Sequence, residues 1–142
     1  MTVLRGLIGV LVALAVTVGF VQFLELMLAN AIAGQPLQSI GDYALILNPF
    51  PMLVMRLLIT SLIAILGGYL CAKIAEQDGL RYTLIAAIFR VIAVVGGTMQ
   101  GYIPPAPWWW VAVMLAFSSL AMLAGGAVRT AAAQIEQRKG LQ

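Results

Sequence analysis

The chain has 142 residues, of which 63% are hydrophobic and 9% are charged, with a net charge of +3. Ordinary soluble domains are about 25% charged, so the composition excludes a typical soluble domain and predicts an integral membrane protein. Histidine is absent and cysteine occurs once, which excludes histidine metal sites, haem ligation by histidine and an internal disulfide. We expect a single membrane domain, residues 1–142, with no cofactor and no nucleic-acid partner.

Four apolar segments give the chain its predicted architecture. Each is close to the ~20 residues that an α-helix needs to cross a hydrocarbon core of about 30 Å. We expect helices over residues 4–33, 52–75, 82–101 and 108–128, followed by a cytoplasmic tail over 129–142. The predicted fold is therefore an all-α integral membrane bundle of four transmembrane helices. The first helix is long enough to tilt or to leave the membrane at one end.

The placement of lysine and arginine predicts the orientation of the bundle. The connections 34–51 and 102–107 contain neither residue, whereas basic residues flank the second connection and follow the fourth helix. The positive-inside rule therefore predicts that both termini are cytoplasmic. Amphipathic rings favour the membrane interface, so we expect an outer aromatic belt of Tyr102, Trp108, Trp109 and Trp110.

The first helix carries Glu25 within its apolar sequence, and the second carries Arg56. Both lie in the outer half of neighbouring antiparallel helices, so we expect an intramembrane ion pair that relieves the cost of burying each charge. Gln22 lies one turn before Glu25 and is expected to complete the network. In the alternative interpretation, Arg56 extends to the outer headgroups and Glu25 faces water in an open outer mouth.

The connection 34–51 is predicted to hold a short interfacial helix on the outer side. Ser39 has the position of an N-cap, and Asp42 follows three residues later, as in a capping box. Asn48 followed by Pro49 is typical of a helix end.

Arg90 lies near the middle of the third predicted helix, about 13 Å along it from Arg81. An arginine at the bilayer centre costs from about 3 to more than 10 kcal/mol, so it is usually partnered or functional. Hydroxyl groups of the other helices lie at a similar height, and we expect a buried-charge site formed with Thr17, Thr60, Ser61, Ser118 and Ser119. Two interpretations remain: the hydroxyls satisfy the guanidinium, or the guanidinium is the floor of a cavity for an anion or lipid headgroup.

Rows of small residues occur in every predicted helix, for example Ala64, Gly68 and Ala72 in the second. Small residues let helix backbones approach closely in lipid, so we expect tight packing within the bundle, with a dimerisation face as the alternative.

Catalysis is not expected. An intramembrane aspartyl enzyme needs two carboxylates at one site, but Asp42 is predicted outside the membrane and Asp78 inside it. No serine has a histidine base, and Cys71 has no evident activating neighbour.

Three short motifs resemble a family of small four-helix bacterial membrane proteins of unknown function. They are Phe23-Leu24-Glu25-Leu26, Gly67-Gly68-Tyr69-Leu70-Cys71-Ala72 and Pro105-Ala106-Pro107-Trp108-Trp109. The resemblance implies a multi-pass protein of the bacterial inner membrane. The chain departs from the family pattern at Ala106, where a histidine is frequent, and has no histidine after the glutamate, so a metal site is not implied.

A glutamate in the first of four helices also resembles the small multidrug resistance transporters, whose glutamate binds cation and proton in a dimer. We expect instead a non-enzymatic inner-membrane protein, surrounded by the lipid bilayer, that acts as an accessory subunit or as a partner- or lipid-binding module. Its candidate partner is another membrane protein or a second copy of the chain. The alternative is a small proton-coupled transporter, acting as an oligomer, with Glu25 as the coupling residue.

Overall fold

A computed structural model describes residues 2–139 of the chain, except for the side chains of Thr2 and Gln77. Within that range all of the regular secondary structure is helical, and there is no strand. Four stretches are long and apolar enough to cross a membrane: Val3–Ala33, Phe50–Ala75, Gly79–Met99 and Trp108–Lys139. The predicted all-α class and the four candidate spans are confirmed.

The elements follow one another with short connections. They are α1 (Thr2–Leu14), a π-helical segment (Ala15–Phe20), α2 (Val21–Ala33), α3 (Ile40–Leu47), α4 (Phe50–Ala75), a 3-10 turn (Glu76–Asp78), α5 (Gly79–Met99) and α6 (Trp108–Lys139). The third span starts three residues before the predicted Tyr82 because the turn before it is so short. The fourth helix continues unbroken into the predicted tail, of which residues 140–142 lie outside the described range.

The π-helical segment is explained by the burial pattern of the first span. From Ala13 onward, buried residues recur every four positions, at Thr17, Val21, Glu25 and Ala29. At about 100° per residue, four such repeats carry the buried face about 160° around a regular α-helix. A π turn accommodates one extra residue and so turns the face back by about 100°. Thr17 and Glu25 therefore both face the interior of the bundle.

The bundle has two ends of different character. The short-turn end comprises the start of α1 and the Glu76–Asp78 turn, and here the Arg5 guanidinium lies 2.6 Å from the Glu76 carboxylate. The long-loop end carries α3 and the connection 100–107 between α5 and α6.

α4 packs most extensively against α6, and glycines allow their backbones to touch near the short-turn end. A methyl group at Gly68 would overlap the carbonyl oxygen of Met122, and one at Gly125 would overlap the carbonyl oxygen of Ile65. Close backbone approach of this kind is how helices gain dispersion energy in lipid, where hydrophobic burial contributes little.

The helices bury small and polar side chains and expose large apolar ones. Leu11, Leu62 and Leu120 are each about two-thirds exposed, whereas Ala13, Ala64 and Ala86 are fully buried. This distribution is typical of helices surrounded by lipid.

The predicted capping box starts α3. Ser39 Oγ accepts a hydrogen bond from the backbone N–H of Asp42, and the Asp42 carboxylate accepts one from the backbone N–H of Ser39, both at 3.2 Å. The Tyr43 hydroxyl lies 3.2 Å from Asn30 Oδ1, which attaches α3 to the end of α2. The connection is therefore attached to α2 through Tyr43, and its helix begins at a defined cap.

Candidate functional site

A narrow polar cavity lies between the four spans at the long-loop end. Its volume is about 20 Å³, room for about one water molecule. Its polar lining comes from all but the fourth span: Thr17, Gln22, Glu25, Arg56, Thr60, Arg90 and Thr98. Side chains of the connection between α5 and α6 close it on one side, among them Ile103, Pro104 and Ala106.

Glu25 and Arg56 form a buried two-pronged ion pair across the cavity. Arg56 Nε donates to Glu25 Oε1 and Arg56 Nη2 donates to Glu25 Oε2, each at 3.0 Å. Their side chains are 4% and 3% exposed, respectively. Parallel hydrogen bonds of this kind are the strongest arrangement for an arginine and a carboxylate. The structure thus brings together Glu25 and Arg56, as their similar positions along neighbouring helices predict.

Trp110 supports Arg56 from the fourth span. The Arg56 guanidinium carbon lies 4.5 Å from the centroid of the Trp110 ring, within the range of a cation–π interaction. Trp110 Nε1 donates to the carbonyl oxygen of Leu53, at 3.3 Å, and so fixes the ring. The ion pair is therefore bordered by an aromatic face.

The burial of Trp110 departs from the predicted aromatic belt. Trp108, Trp109 and Tyr102 are 62%, 58% and 77% exposed, as residues of such a belt would be, but Trp110 is only 4% exposed. Successive helical residues point about 100° apart, so three consecutive tryptophans cannot share a face. Trp110 lies four and eight residues before the buried Met114 and Ser118, a spacing that would have placed it in the interior.

Arg90 is held by the fourth span. Its Nη1 donates to Ser118 Oγ and its Nη2 lies 3.7 Å from the Met114 sulfur. The Ser118 hydroxyl in turn donates to the carbonyl oxygen of Met114, so a backbone group orients the oxygen that receives the guanidinium. Arg90 is 1% exposed, and all its described partners are neutral.

The other predicted partners of Arg90 divide into two groups. Thr17 and Thr60 line the cavity with Arg90, and the Thr17 hydroxyl donates to the carbonyl oxygen of Ala13, at 2.7 Å. Ser61 and Ser119 are not part of the lining. Each follows a lining or bonding residue, Thr60 or Ser118, by one position and therefore points about 100° away from it.

Gln22 lies beside the ion pair without completing it. Its side chain lines the cavity, but within residues 2–139 no hydrogen bond joins it to Glu25 or Arg56. The carboxylate already receives two donors from Arg56. Gln22 is thus an additional polar group of the cavity wall.

Each arginine of the cavity keeps one buried nitrogen without an acceptor among the described residues. These nitrogens are Nη1 of Arg56 and Nε of Arg90. The lining contains two guanidinium groups and one carboxylate, a formal excess of one positive charge. Buried charges of this kind are costly unless they are paired or functional.

The two connections at the long-loop end are joined beside the cavity. Asn48 Nδ2 donates to the carbonyl oxygen of Pro105, at 2.9 Å. Pro105 lies between the lining residues Pro104 and Ala106. The residue that ends α3 therefore positions part of the cavity wall.

The arrangement suits anion recognition better than metal binding. Within the described part of the chain, no group of three or more histidine, cysteine, aspartate or glutamate side chains could hold a metal ion. Two guanidinium groups, by contrast, present donors that match the oxygens of a carboxylate or phosphate.

Comparison of the chain with protein-family models, with curated proteins and with solved structures gives no match. The function proposed below therefore depends on the contacts of the cavity.

Proposed function

We propose that this chain is a non-enzymatic, multi-pass protein of the bacterial inner membrane that acts by binding, as an accessory subunit or as a partner- or lipid-binding module. Both termini lie in the cytoplasm, so the long-loop end faces outward. The cavity that contains Arg90 is its binding determinant.

The observation that supports this proposal most directly is the unequal pairing of the two buried arginines. Arg56 has Glu25 as its counter-ion at 3.0 Å. Arg90 has a serine hydroxyl and a thioether, and its Nε has no acceptor among the described residues. A buried arginine without a counter-ion is destabilising in lipid unless another molecule supplies one. In a binding protein, this free-energy cost is relieved when the bound molecule supplies the counter-ion.

The geometry disfavours the transporter alternative. A coupling glutamate must lose and regain its ion partner during each cycle, so it has to be free to exchange a proton with water. Glu25 is held by two hydrogen bonds from Arg56 and is 4% exposed. Separating such a buried pair would leave each charge buried without its partner, so the pair favours a fixed structural role for Glu25.

Gentle purification from native membranes tests this proposal. We expect native mass spectrometry to find a stoichiometric component, protein or lipid, that is lost from Arg90→Leu. Arg81→Leu is the matched control, because Arg81 lies on the same helix but is exposed near the short-turn end. The component should be retained in that control.

Two results would contradict the proposal. One is an Arg90→Leu protein that retains every component bound by the wild type. The other is proton-driven uptake by the purified chain in proteoliposomes that Glu25→Gln abolishes while the variant remains folded.

A further inference from the structure

The polar lining of the cavity has more donors than acceptors. Arg56 donates two of its N–H groups to Glu25, and Arg90 donates to Ser118. Glu25 is the one carboxylate of the lining, and both of its oxygens are already used by Arg56. No anionic group of the described chain is left for Arg90.

Unused donors remain on both arginines. Arg56 and Arg90 are 2% and 1% exposed, and Nη1 of the first and Nε of the second lack an acceptor. A buried unpaired donor on a charged group is unfavourable by more than an ordinary missing hydrogen bond. An oxyacid group in the cavity would accept from these donors and would balance the excess charge.

The size and the border of the cavity restrict the ligand. A volume of about 20 Å³ admits one or two oxygen atoms but not a complete headgroup. The remaining lining is mostly apolar, and Val18, Val21, Ile103 and Ala106 contribute to it. A ligand that presents one oxyanion and continues as a carbon chain fits this combination.

We propose that the cavity is an anion site in which Arg56 and Arg90 together bind one or two oxygens of the carboxylate or phosphate of a ligand, the rest of which lies outside the cavity. The site deepens, and rests on, the binding function proposed above. The shared chemistry is an oxyanion; its source is either an amphiphile from the bilayer or a small soluble anion. Glu25 keeps Arg56 in place for this task and prevents the cavity from carrying two uncompensated charges.

Binding to the purified full-length chain in a nonionic detergent tests the site. The probes are decanoate and decyl phosphate as amphiphiles, acetate and inorganic phosphate as soluble anions, and decanol as the neutral control. We expect saturable binding and a raised Tm with at least one anion, and neither effect with decanol. Tighter binding of the decyl compounds identifies a bilayer source, whereas equal or tighter binding of acetate or phosphate identifies a soluble one.

Two variants locate the binding. Arg90→Met should weaken it at least about tenfold, since it removes the charge-assisted hydrogen bonds that Arg90 would donate to the anion. Ala106→Leu fills the cavity border without changing a charge, and should also weaken binding at least about tenfold. Ala112→Leu is its matched control, because Ala112 is exposed on α6, and it should bind as the wild type does. Ala106→Leu thus keeps the test decisive if Arg90→Met does not fold.

Either of two results overturns the anion site: no saturable binding of any anion, or binding that Arg90→Met and Ala106→Leu leave unchanged. A protein partner lost on Arg90→Leu, without anion binding, would leave the binding function standing and remove the anion site. Proton-driven transport of a bound anion would leave the anion site standing and remove the proposed binding function.

Discussion

The two ends of the bundle are held together by opposite means. Near the short-turn end, glycines such as Gly68 and Gly125 bring backbones into contact, and most of the buried side chains of the cluster there are small. Near the long-loop end, large or charged side chains such as Glu25, Arg56 and Trp110 lie between the helices. The first arrangement gains dispersion energy from close backbone contact, whereas the second keeps polar groups buried around a cavity. We infer that the close packing of the short-turn end helps to offset the free-energy cost of the buried charges at the long-loop end.

The largest expected effect concerns the ion pair at the long-loop end. Glu25→Gln and Arg56→Gln should each lower the free energy of unfolding by about 3–5 kcal/mol. The first leaves the Arg56 guanidinium buried without a counter-ion, and the second leaves the Glu25 carboxylate so. The double variant should be milder than the sum of the two. Unfolding in mixed micelles measures all three.

The control for that experiment is Glu136→Gln, because the Glu136 side chain is 72% exposed and lies 3.5 Å from a partly buried partner, Arg129. Exposed pairs contribute about 0–1 kcal/mol, so this change should be nearly neutral. Additive effects of Glu25→Gln and Arg56→Gln would show that the buried pair is not a coupled unit.

A smaller effect is expected from one methyl group at the short-turn end. Gly68→Ala places it against the carbonyl oxygen of Met122 and should cost about 1–3 kcal/mol, the usual cost of overpacking. Gly96→Ala is the matched control, because nothing lies within 4 Å of its added methyl. The control should be neutral or stabilising by up to about 1 kcal/mol, since alanine favours helix. Equal effects on Tm would refute the difference in packing between the two positions.

Trp110 and Trp109 give a sharper test within one turn of helix. Trp110→Leu removes the ring over Arg56 and the hydrogen bond to Leu53, and should cost at least about 2 kcal/mol. Trp109→Leu changes an exposed ring and should cost under about 1 kcal/mol. Thermal unfolding in detergent compares the two. A reversed order would remove Trp110 from the set of residues that support the ion pair.

The smallest expected effect is on the connection at the long-loop end. Ser39→Ala removes the side-chain acceptor for the Asp42 N–H and should cost about 1 kcal/mol, as N-cap losses usually do. The loss should be local, so hydrogen exchange should rise in α3 and remain unchanged in α4 and α5. Faster exchange throughout the bundle would show that α3 is needed for the stability of the whole chain.

Much of this arrangement could be predicted because it depends on periodicities that act along one helix. Hydropathy located the spans, the Ser39 capping box located α3, and depth from the helix ends matched Glu25 with Arg56. Contacts between faces were harder to predict. Ser61 and Ser119 lie at the level of Arg90 along their helices but do not line the cavity that contains it. Trp110 faces the interior of the bundle rather than the aromatic belt.

The cavity could not be predicted from depth alone. Arg90 and Glu25 differ in height along their own helices, yet they line one space, which the connection between α5 and α6 closes. The π-helical segment contributes as well, because it keeps Glu25 on the buried face. The buried residues from Ala13 to Ala29 recur every four positions, which drifts around an ordinary α-helix, but only the structure shows that these positions are the buried ones.

The π-helical segment also determines how the first span tolerates changes of length. Ala15–Phe20 already contains the surplus residue of the helix, so deleting Gly19 would restore α-helical hydrogen bonding and leave the faces on both sides aligned. Deleting Leu11 from α1 would instead rotate the preceding residues by about 100° relative to the rest of the span. The first span can therefore lose a residue at this segment, and not within α1, without moving Glu25 away from Arg56.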